Sequence, residues 1–256
     1  MNDRFGRVPP AILAVAFLLA AGCEDPTRTP PPVPEGATPA GSVIGDGAIR
    51  GRVTFEGEAP EPEPINMASD ATCMRDHGAP TRETLVVSAE GYLKNAFVHV
   101  SSGLEGRVFA PPSAPVTLNQ QGCVYRPHMA GVQVGQPLEI INSDPTLHNV
   151  HAVAEVNKGF NFGMSVEGQK AIRYFHQPEI AVRIRCDVHP WMAALVGVSP
   201  HPFFAVTDAE GSFGIDGLPA GEYTIEVWHE TLGRQSTEVT LGDGEAREVD
   251  FRYEGS

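Results

Sequence analysis

Residues 180–192 read Ile180-Ala181-Val182-Arg183-Ile184-Arg185-Cys186-Asp187-Val188-His189-Pro190-Trp191-Met192. Apolar and polar residues alternate as far as Arg185, which predicts a half-buried strand with its even-numbered side chains pointing inward. Cys186 has the inward parity and ends this strand. The chain then turns and supplies His189 and Met192. A thiol, an imidazole and a thioether so close together form a soft ligand set, which favours copper over magnesium or calcium.

A further ligand is expected from a distant strand, because one short loop cannot surround a metal ion. Residues 134–144 predict a turn, a strand and a second turn, and they lead to Leu147-His148-Asn149-Val150-His151. His148 shares its parity with Val150, so His148 faces inward and His151 faces the other side. Two His and one Cys in a plane, with a weak axial Met, form the blue-copper arrangement.

Residues 113–199 resemble a cupredoxin, in particular the amicyanin and plastocyanin-like members. The resemblance rests on the Cys-x-x-His-Pro-aromatic-Met loop and on Pro145 followed by the His-Asn-Val-His run at 148–151. It implies a Greek-key β-sandwich with one mononuclear copper ion held by His148, Cys186, His189 and Met192. Asn149 is expected to tie the two ligand loops together. Residues 157–175 do not align securely with the family.

Other interpretations of these residues stay open. Cys186 with His189 alone is compatible with half of a zinc site, but structural zinc sites prefer a second such pair, which the sequence lacks. Cys186 is also compatible with an inert buried thiol. A second metal could bind near His128, His151 or His201, although surface or hydrogen-bonded histidines are commoner. We predict a single copper ion.

The N-terminus predicts export. Basic residues flank an apolar run over residues 11–21, which is short for a membrane span and ends in Ala20-Ala21-Gly22-Cys23. This ending resembles a bacterial lipobox, with Ala20 where Leu is usual. The resemblance implies a signal peptide over 1–22, a lipidated Cys23, and a location in the periplasm or at the cell surface. A signal peptide cleaved without lipidation is the alternative.

Cysteine usage supports this interpretation. Four cysteines are present, at positions 23, 73, 123 and 186. Free thiols rarely persist in an oxidising compartment, and with Cys23 lipidated and Cys186 on the metal, Cys73 and Cys123 are predicted to form a disulfide. Residues 23–46 are Pro-rich and polar, which predicts an extended tether that cannot form a packed core.

Short strands are predicted on both sides of the copper region. Their inward residues are Ile49, Val53 and Phe55 in one strand and Ala96, Val98 and Val100 in the next. Further on, Asp208 and Gly211 between apolar runs predict a hairpin. Residues 207–227 resemble the carboxypeptidase regulatory-like family, a transthyretin-like β-sandwich. The motifs are Thr207-Asp208-x-x-Gly211-x-Phe213 and Leu218-Pro219-x-Gly221-x-Tyr223-x-Ile225.

The regulatory-like strands precede and follow the copper region, so an all-β chain with one sandwich inserted in another is predicted. The regulatory-like sandwich would comprise residues 47–112 and 200–256, and the cupredoxin 113–199. The alternative is that residues 47–110 extend the cupredoxin sheet.

The bulk composition narrows the function. A formal net charge of −14 disfavours nucleic acid and anionic lipid as partners. The ligand set shows neither an open coordination position nor a second metal, so an electron carrier rather than an enzyme is predicted. A redox protein is expected to dock at an electron port formed by His189 and Trp191, on an exposed loop. The alternatives are a copper chaperone or store, and a glycan- or protein-binding sandwich with a vestigial copper site.

Overall fold

A computed structural model describes residues 25–42, 44–76 and 80–255 of the chain. The described part is almost entirely β-structure. Its strands are β1 (Gly47–Glu56), β2 (Phe97–Ser102), β3 (Val116–Gln120), β4 (Tyr125–Arg126), β5 (Met129–Gln133), β6 (Leu138–Asn142), β7 (His148–Val153), β8 (Phe160–Met164), β9 (Lys170–Arg173), β10 (Glu179–Arg185), β11 (Ala193–Ser199), β12 (Phe204–Val206), β13 (Ser212–Leu218), β14 (Gly221–His229), β15 (Gly233–Leu241), β16 (Ala246–Glu248) and β17 (Phe251–Glu254).

Helical structure among the described residues is confined to two short pieces. These are a 3-10 turn at Pro26–Arg28 and helix α1, Ala71–Asp76. No helix in the described ranges has the length and apolar character needed to cross a bilayer. The predicted signal peptide and Cys23 lie outside the described residues.

Strands β3 to β11 form the inner sandwich. One sheet has the order β5-β11-β10-β7-β8, and the other has the order β4-β3-β6-β9. Inward side chains of both sheets pack into one core, in which Val150, Val182 and Ile184 are fully buried. The parity predicted for the ligand strands is therefore confirmed. The segment 157–175, which the resemblance left unaligned, supplies β8 and β9.

The outer sandwich is assembled from both ends of the described chain. One sheet joins β13, β1, β16 and β17, and the other has the order β12-β2-β14-β15. The predicted inward residues of β1 and β2, among them Ile49 and Val98, are buried in its core. Because β1 and β2 precede the inner sandwich and β12 to β17 follow it, the inner sandwich is an insertion, as predicted.

The two sandwiches share a packed interface. Phe97 projects from β2 toward β5 and β11, where a Cβ on Gly197 would stand 2.7 Å from its ring and one on Gly131 would stand 2.5 Å from Phe204. Glycines therefore allow the close approach of the two sheets. A bulge in β10 at Ala181, with φ +67°, interrupts the predicted alternation. As a result Ile180 packs into this interface rather than into the core of the inner sandwich.

One predicted turn has a different role. The backbone carbonyl of Asp208 accepts a hydrogen bond from the N–H of Gly211 at 3.1 Å. Its side-chain Oδ1 accepts another from the N–H of Ser212 at 2.8 Å. The turn is therefore present, but β12 pairs with β2 while β13 pairs with β1. The expected hairpin was wrong, because the chain crosses from one sheet to the other at this point.

The Pro-rich segment is extended, as its composition predicts, but it is not free of the folded body. Thr27 is buried, and its carbonyl accepts a hydrogen bond from the N–H of Tyr174 at 2.8 Å. Further along, Thr38 pairs with Phe109 of the chain between β2 and β3. Proline has no N–H and cannot build a sheet of its own, so the segment is held by bonds to the sandwiches.

His201 at the junction of the sandwiches should make stability depend on pH. Its Nε2 donates to the Val100 carbonyl at 2.9 Å, and burial lowers its pKa to about 4. The folded state then binds fewer protons than the unfolded state below pH 6.5, so stability falls as the pH falls. From pH 7 to 4.5 we expect a loss of about 2–3 kcal/mol from this residue. Urea unfolding of wild type and His201→Gln measures it, and an equal pH dependence in both would contradict it.

Candidate metal centre

Three predicted ligands converge at one end of the inner sandwich. His148 begins β7 and Cys186 directly follows β10, and these strands are neighbours, with His151 opposite Arg185. His189 lies in the turn before β11. The ligand atoms of His148, Cys186 and His189 all lie within 4.8 Å of one another. Exposure is 0% for His148, 2% for Cys186, 2% for His189 and 1% for Met192, so solvent is excluded from all four.

The two imidazoles are held from outside by carboxylates. Nε2 of His148 lies 2.9 Å from Oδ2 of Asp144, and Nε2 of His189 lies 3.2 Å from Oδ2 of Asp70. The backbone N–H of Cys73 and the imidazole of His189 hold the pKa of Asp70 below its ordinary value. Burial works against ionisation of Asp144, but His148 and backbone N–H groups still lower its pKa. Ionised carboxylates only accept, so each Nε2 carries the proton.

With both Nε2 atoms donating outward, the Nδ1 atoms turn toward each other. Nδ1 of His148 lies 2.9 Å from Nδ1 of His189. Two nitrogen lone pairs at this distance repel unless a positive charge lies between them. The arrangement thus suits a cation bound by both Nδ1 atoms, and outer carboxylates are the usual partners of metal-binding imidazoles.

Cys186 supplies the negative charge of the cluster. Burial disfavours its thiolate, but the neighbouring imidazoles of His148 and His189 and the backbone N–H groups of Asn149 and His189 lower the pKa of the thiol to about 6. Both N–H groups lie 3.4 Å from Sγ. The thiolate is the form that binds metal, so Cys186 is poised for coordination near neutral pH.

The ligand loops are tied together by hydrogen bonds. Asn149 bonds both to the backbone N–H of Asp187 and, through Nδ2, to its carboxylate at 3.1 Å. The carbonyl of Met192 accepts a hydrogen bond from the N–H of Cys186 at 3.2 Å. Asn149 therefore links the His148 strand to the Cys186 loop, which is the role the sequence suggested for it.

A cover over His189 comes from an unexpected part of the chain. The segment between β1 and β2, which the sequence assigns to the outer sandwich, crosses to the end of the inner sandwich that carries the predicted ligands, called the copper end below. It buries Met67 in the inner core. The predicted disulfide between Cys73 and Cys123 is present, with an S–S distance of 2.03 Å. Its Cys73 Sγ lies 3.8 Å from Nε2 of His189. Together with Asp70, the disulfide closes the outer edge of the loop ligand.

The electron port predicted at His189 and Trp191 requires correction. His189 does not reach the surface, because Asp70 and the disulfide cover the edge that was expected to be exposed. Trp191 is half-buried, its Nε1 donates to the Cys123 carbonyl at 2.9 Å, and its ring lies 5.1 Å from that of His189. Trp191 thus packs beside the ligand and does not form an open docking patch.

The three histidines considered as ligands of a second metal all have hydrogen-bond partners within the protein. His128 pairs with Glu230, His151 bonds to Asp187 at 3.0 Å, and His201 bonds to backbone as described above. Asp70 and Asp144 were missed by sequence reasoning. Asp144 lies four residues before His148, and this spacing could have indicated a partner for the His148 imidazole. For Asp70, the sequence offered only its closeness to Cys73.

The donor set fits a copper ion. His148, Cys186, His189 and Met192 would hold it, since two imidazole nitrogens, a thiolate and a thioether are ligands that copper favours. When bound, copper supplies one-electron exchange between its Cu(I) and Cu(II) states. The surrounding carboxylates, N–H groups and disulfide fix the positions of the ligands.

Met192→Gln should retain copper and lower its reduction potential. An amide oxygen is a harder ligand than a thioether and stabilises Cu(II) relative to Cu(I), while the three strong ligands remain. Cyclic voltammetry of the loaded protein measures the potential, and metal analysis checks the copper content. Met74→Gln, a change of an exposed methionine on α1, is the control and should leave the potential unchanged. A potential in Met192→Gln equal to that of wild type would remove Met192 from the ligand set.

Comparisons with known proteins found one matching family model and several similar solved structures. The family model described as carboxypeptidase regulatory-like domain matches residues 191–254. A copper-containing nitrite reductase from Thermus scotoductus SA-01 is similar at 20% identity and TM-score 0.32, over 38% of this chain and only 24% of that one. An amicyanin mutant in the Cu(I) state is similar at 22% identity and TM-score 0.31, over 40% of this chain and 98% of that one.

A purple cupredoxin from Nitrosopumilus maritimus is similar at 22% identity and TM-score 0.29, over 33% of this chain and 99% of that one. Curated proteins offer no match. The carboxypeptidase regulatory-like resemblance indicated by the sequence is thus confirmed for the C-terminal region. The similar solved structures include cupredoxins, the other family that the sequence resembles.

Proposed function

We propose that this protein is a mononuclear copper electron carrier, exported and anchored by lipid at Cys23 in the periplasm or at the cell surface. One observation carries the proposal. His148, Cys186 and His189 converge in a buried cluster whose imidazole Nδ1 atoms face each other at 2.9 Å while both Nε2 atoms are fixed by carboxylates. Such a cluster holds a redox ion in a dry site of fixed geometry.

The residues around the site favour electron transfer over catalysis. All four ligand side chains are at most 2% exposed, so a substrate has no route to the ion. Asp144 and Asp70 fix the rings, and Asn149 fixes the Cys186 loop. Ligands that stay in place when the charge on the ion changes keep the reorganisation energy of electron transfer small. A small reorganisation energy is what fast electron transfer requires.

The same cover argues against rapid copper delivery, the main alternative. A chaperone must release its ion to an acceptor, and the loop ligand is the natural point of exit. Here a disulfide-bonded segment closes the outer edge of His189. A redox partner is proposed to approach the copper end beside this cover, where Leu147 and Val188, each next to a ligand in sequence, are 46% exposed.

Redox cycling under chelator competition tests the electron-carrier function. The copper-loaded protein is reduced and reoxidised repeatedly in the presence of a strong Cu(I) chelator, and bound copper is measured after each cycle. A carrier should complete many one-electron cycles with its copper retained. Transfer of the copper to the chelator within the first cycle would favour copper handling and would contradict the proposal.

Membrane fractionation tests the anchor. Cys23 follows Ala20-Ala21-Gly22, small residues of the kind that precede a lipoprotein cleavage site. Wild-type protein should partition into the detergent phase, and Cys23→Ser should stay in the aqueous phase. Identical partitioning of the two proteins would contradict lipidation.

A further inference from the structure

The Pro-rich segment is fastened to the inner sandwich almost from the first described residue. Thr27 is 1% exposed and its carbonyl bonds to Tyr174. Nε2 of His176 lies 2.8 Å from the Pro26 carbonyl and 3.1 Å from the Thr29 carbonyl. The segment is therefore bound to the inner sandwich and is not a freely moving tether.

The docking point lies at the end of the sandwich opposite the metal centre. Tyr174 directly follows β9, whose last residue, Arg173, pairs with Leu138 at the start of β6. The other end of β9, at Lys170, pairs with Ile141 of β6. That end adjoins Asn142, whose side chain bonds to the Met164 carbonyl, and Met164 is the register partner of the ligand His148.

Lys158 marks the docked end and Lys170 marks the copper end. Nζ of Lys158 lies 3.8 Å from Oδ1 of Asp25, which is the first described residue. The side chains of the two lysines have similar exposure, 61% for Lys158 and 58% for Lys170. They therefore form a matched pair of reporters at opposite ends of one sandwich.

The remaining chain is short. From Cys23 to Asp25 there are two peptide units, which span at most about 7 Å. Strand β7, from His148 at the copper end to Val153, extends over about 17 Å. A lipid on Cys23 therefore cannot reach the bilayer unless the docked end is close to it, and the metal centre is then the far end.

We infer that the end of the inner sandwich around Asp25 and Lys158 faces the phospholipid surface, with the copper end directed away from it. The inference rests on the proposed lipidation of Cys23. Exposed apolar side chains at this end, Val33, Val153 and Val156, fit contact with a bilayer interface. The redox partner is then a protein domain that stands clear of the membrane plane.

Amine labelling in vesicles tests this orientation. Full-length lipidated protein is bound to vesicles of phosphatidylethanolamine and phosphatidylglycerol and treated with a bilayer-impermeant amine reagent. Cys23→Ser protein mixed with the same vesicles is the reference, and peptide mass spectrometry measures each lysine. We expect Lys158 labelling to be several-fold lower in the lipidated protein and Lys170 labelling to be unchanged.

An insertion variant separates docking from simple membrane proximity. About twenty Gly and Ser residues between Glu24 and Asp25 span about 25 Å and should restore Lys158 labelling to the reference level. Equal labelling of Lys158 in lipidated and reference proteins, or protection of Lys170 instead, would overturn the orientation while leaving the anchor intact. An intact mass without lipid on Cys23 would overturn both the anchor and the orientation.

Discussion

Cys186→Ala should abolish the visible colour of the Cu(II) protein and weaken copper binding by more than about 100-fold. Loss of an outer partner of a metal ligand already costs roughly 10- to 100-fold in affinity, and Cys186 is the charged ligand itself. Its pKa of about 6 means that the thiolate is available to the metal at neutral pH, and alanine offers no replacement. Chelator competition and absorption spectroscopy measure the two effects.

Val188→Ala is the matched control for this substitution. Val188 lies on the same loop between Cys186 and His189, but its side chain is 46% exposed and contributes no ligand. We expect its spectrum and affinity to equal those of wild type. If Cys186→Ala kept the wild-type spectrum while the protein remained folded, the assigned site would be wrong.

Removal of the disulfide, in the double variant Cys73→Ala and Cys123→Ala, should have the second-largest effect. The bridge joins residues 50 positions apart, and closing a loop of this kind contributes about 2–4 kcal/mol to stability. The same change releases the segment that carries Asp70 from the edge of His189. We therefore expect a lower free energy of unfolding and faster loss of copper to a chelator.

These two effects have separate controls. Met74→Ala alters an exposed residue beside Cys73 and should change neither stability nor copper release. Asp70→Asn keeps the disulfide but weakens the hydrogen bond to His189, so it should speed copper release with less effect on stability. A double variant that releases copper at the wild-type rate would show that the segment does not protect the ligand.

Local sequence patterns predicted the inward positions of His148 and Cys186 because strand parity is a short-range property. The alternation before Cys186 and after His148 placed both side chains on the inward face, and the structure brings them together. The insertion was predictable for the same reason, since turn and strand motifs on either side of the copper region identify a second sandwich.

The surroundings of the site were not predictable in this way. Asp70 contacts His189 although the two residues are 119 positions apart in the sequence. No local pattern in the sequence encodes such a contact. The position of His189 in a loop suggested an exposed side chain, but the segment that carries Asp70 covers His189 and buries it. The docking of Thr27 likewise depends on a distant backbone N–H, that of Tyr174.

We propose above all that Cys186 and two imidazoles bind one copper ion in a buried site. The most direct measurement is the visible and electron paramagnetic resonance spectrum of the soluble domain loaded with Cu(II), together with its copper content. We expect one copper per chain, an intense thiolate-to-copper absorption band and a signal from a single type of Cu(II). Colourless protein with copper bound only weakly, and with the Cys186 thiol still free to react, would contradict it.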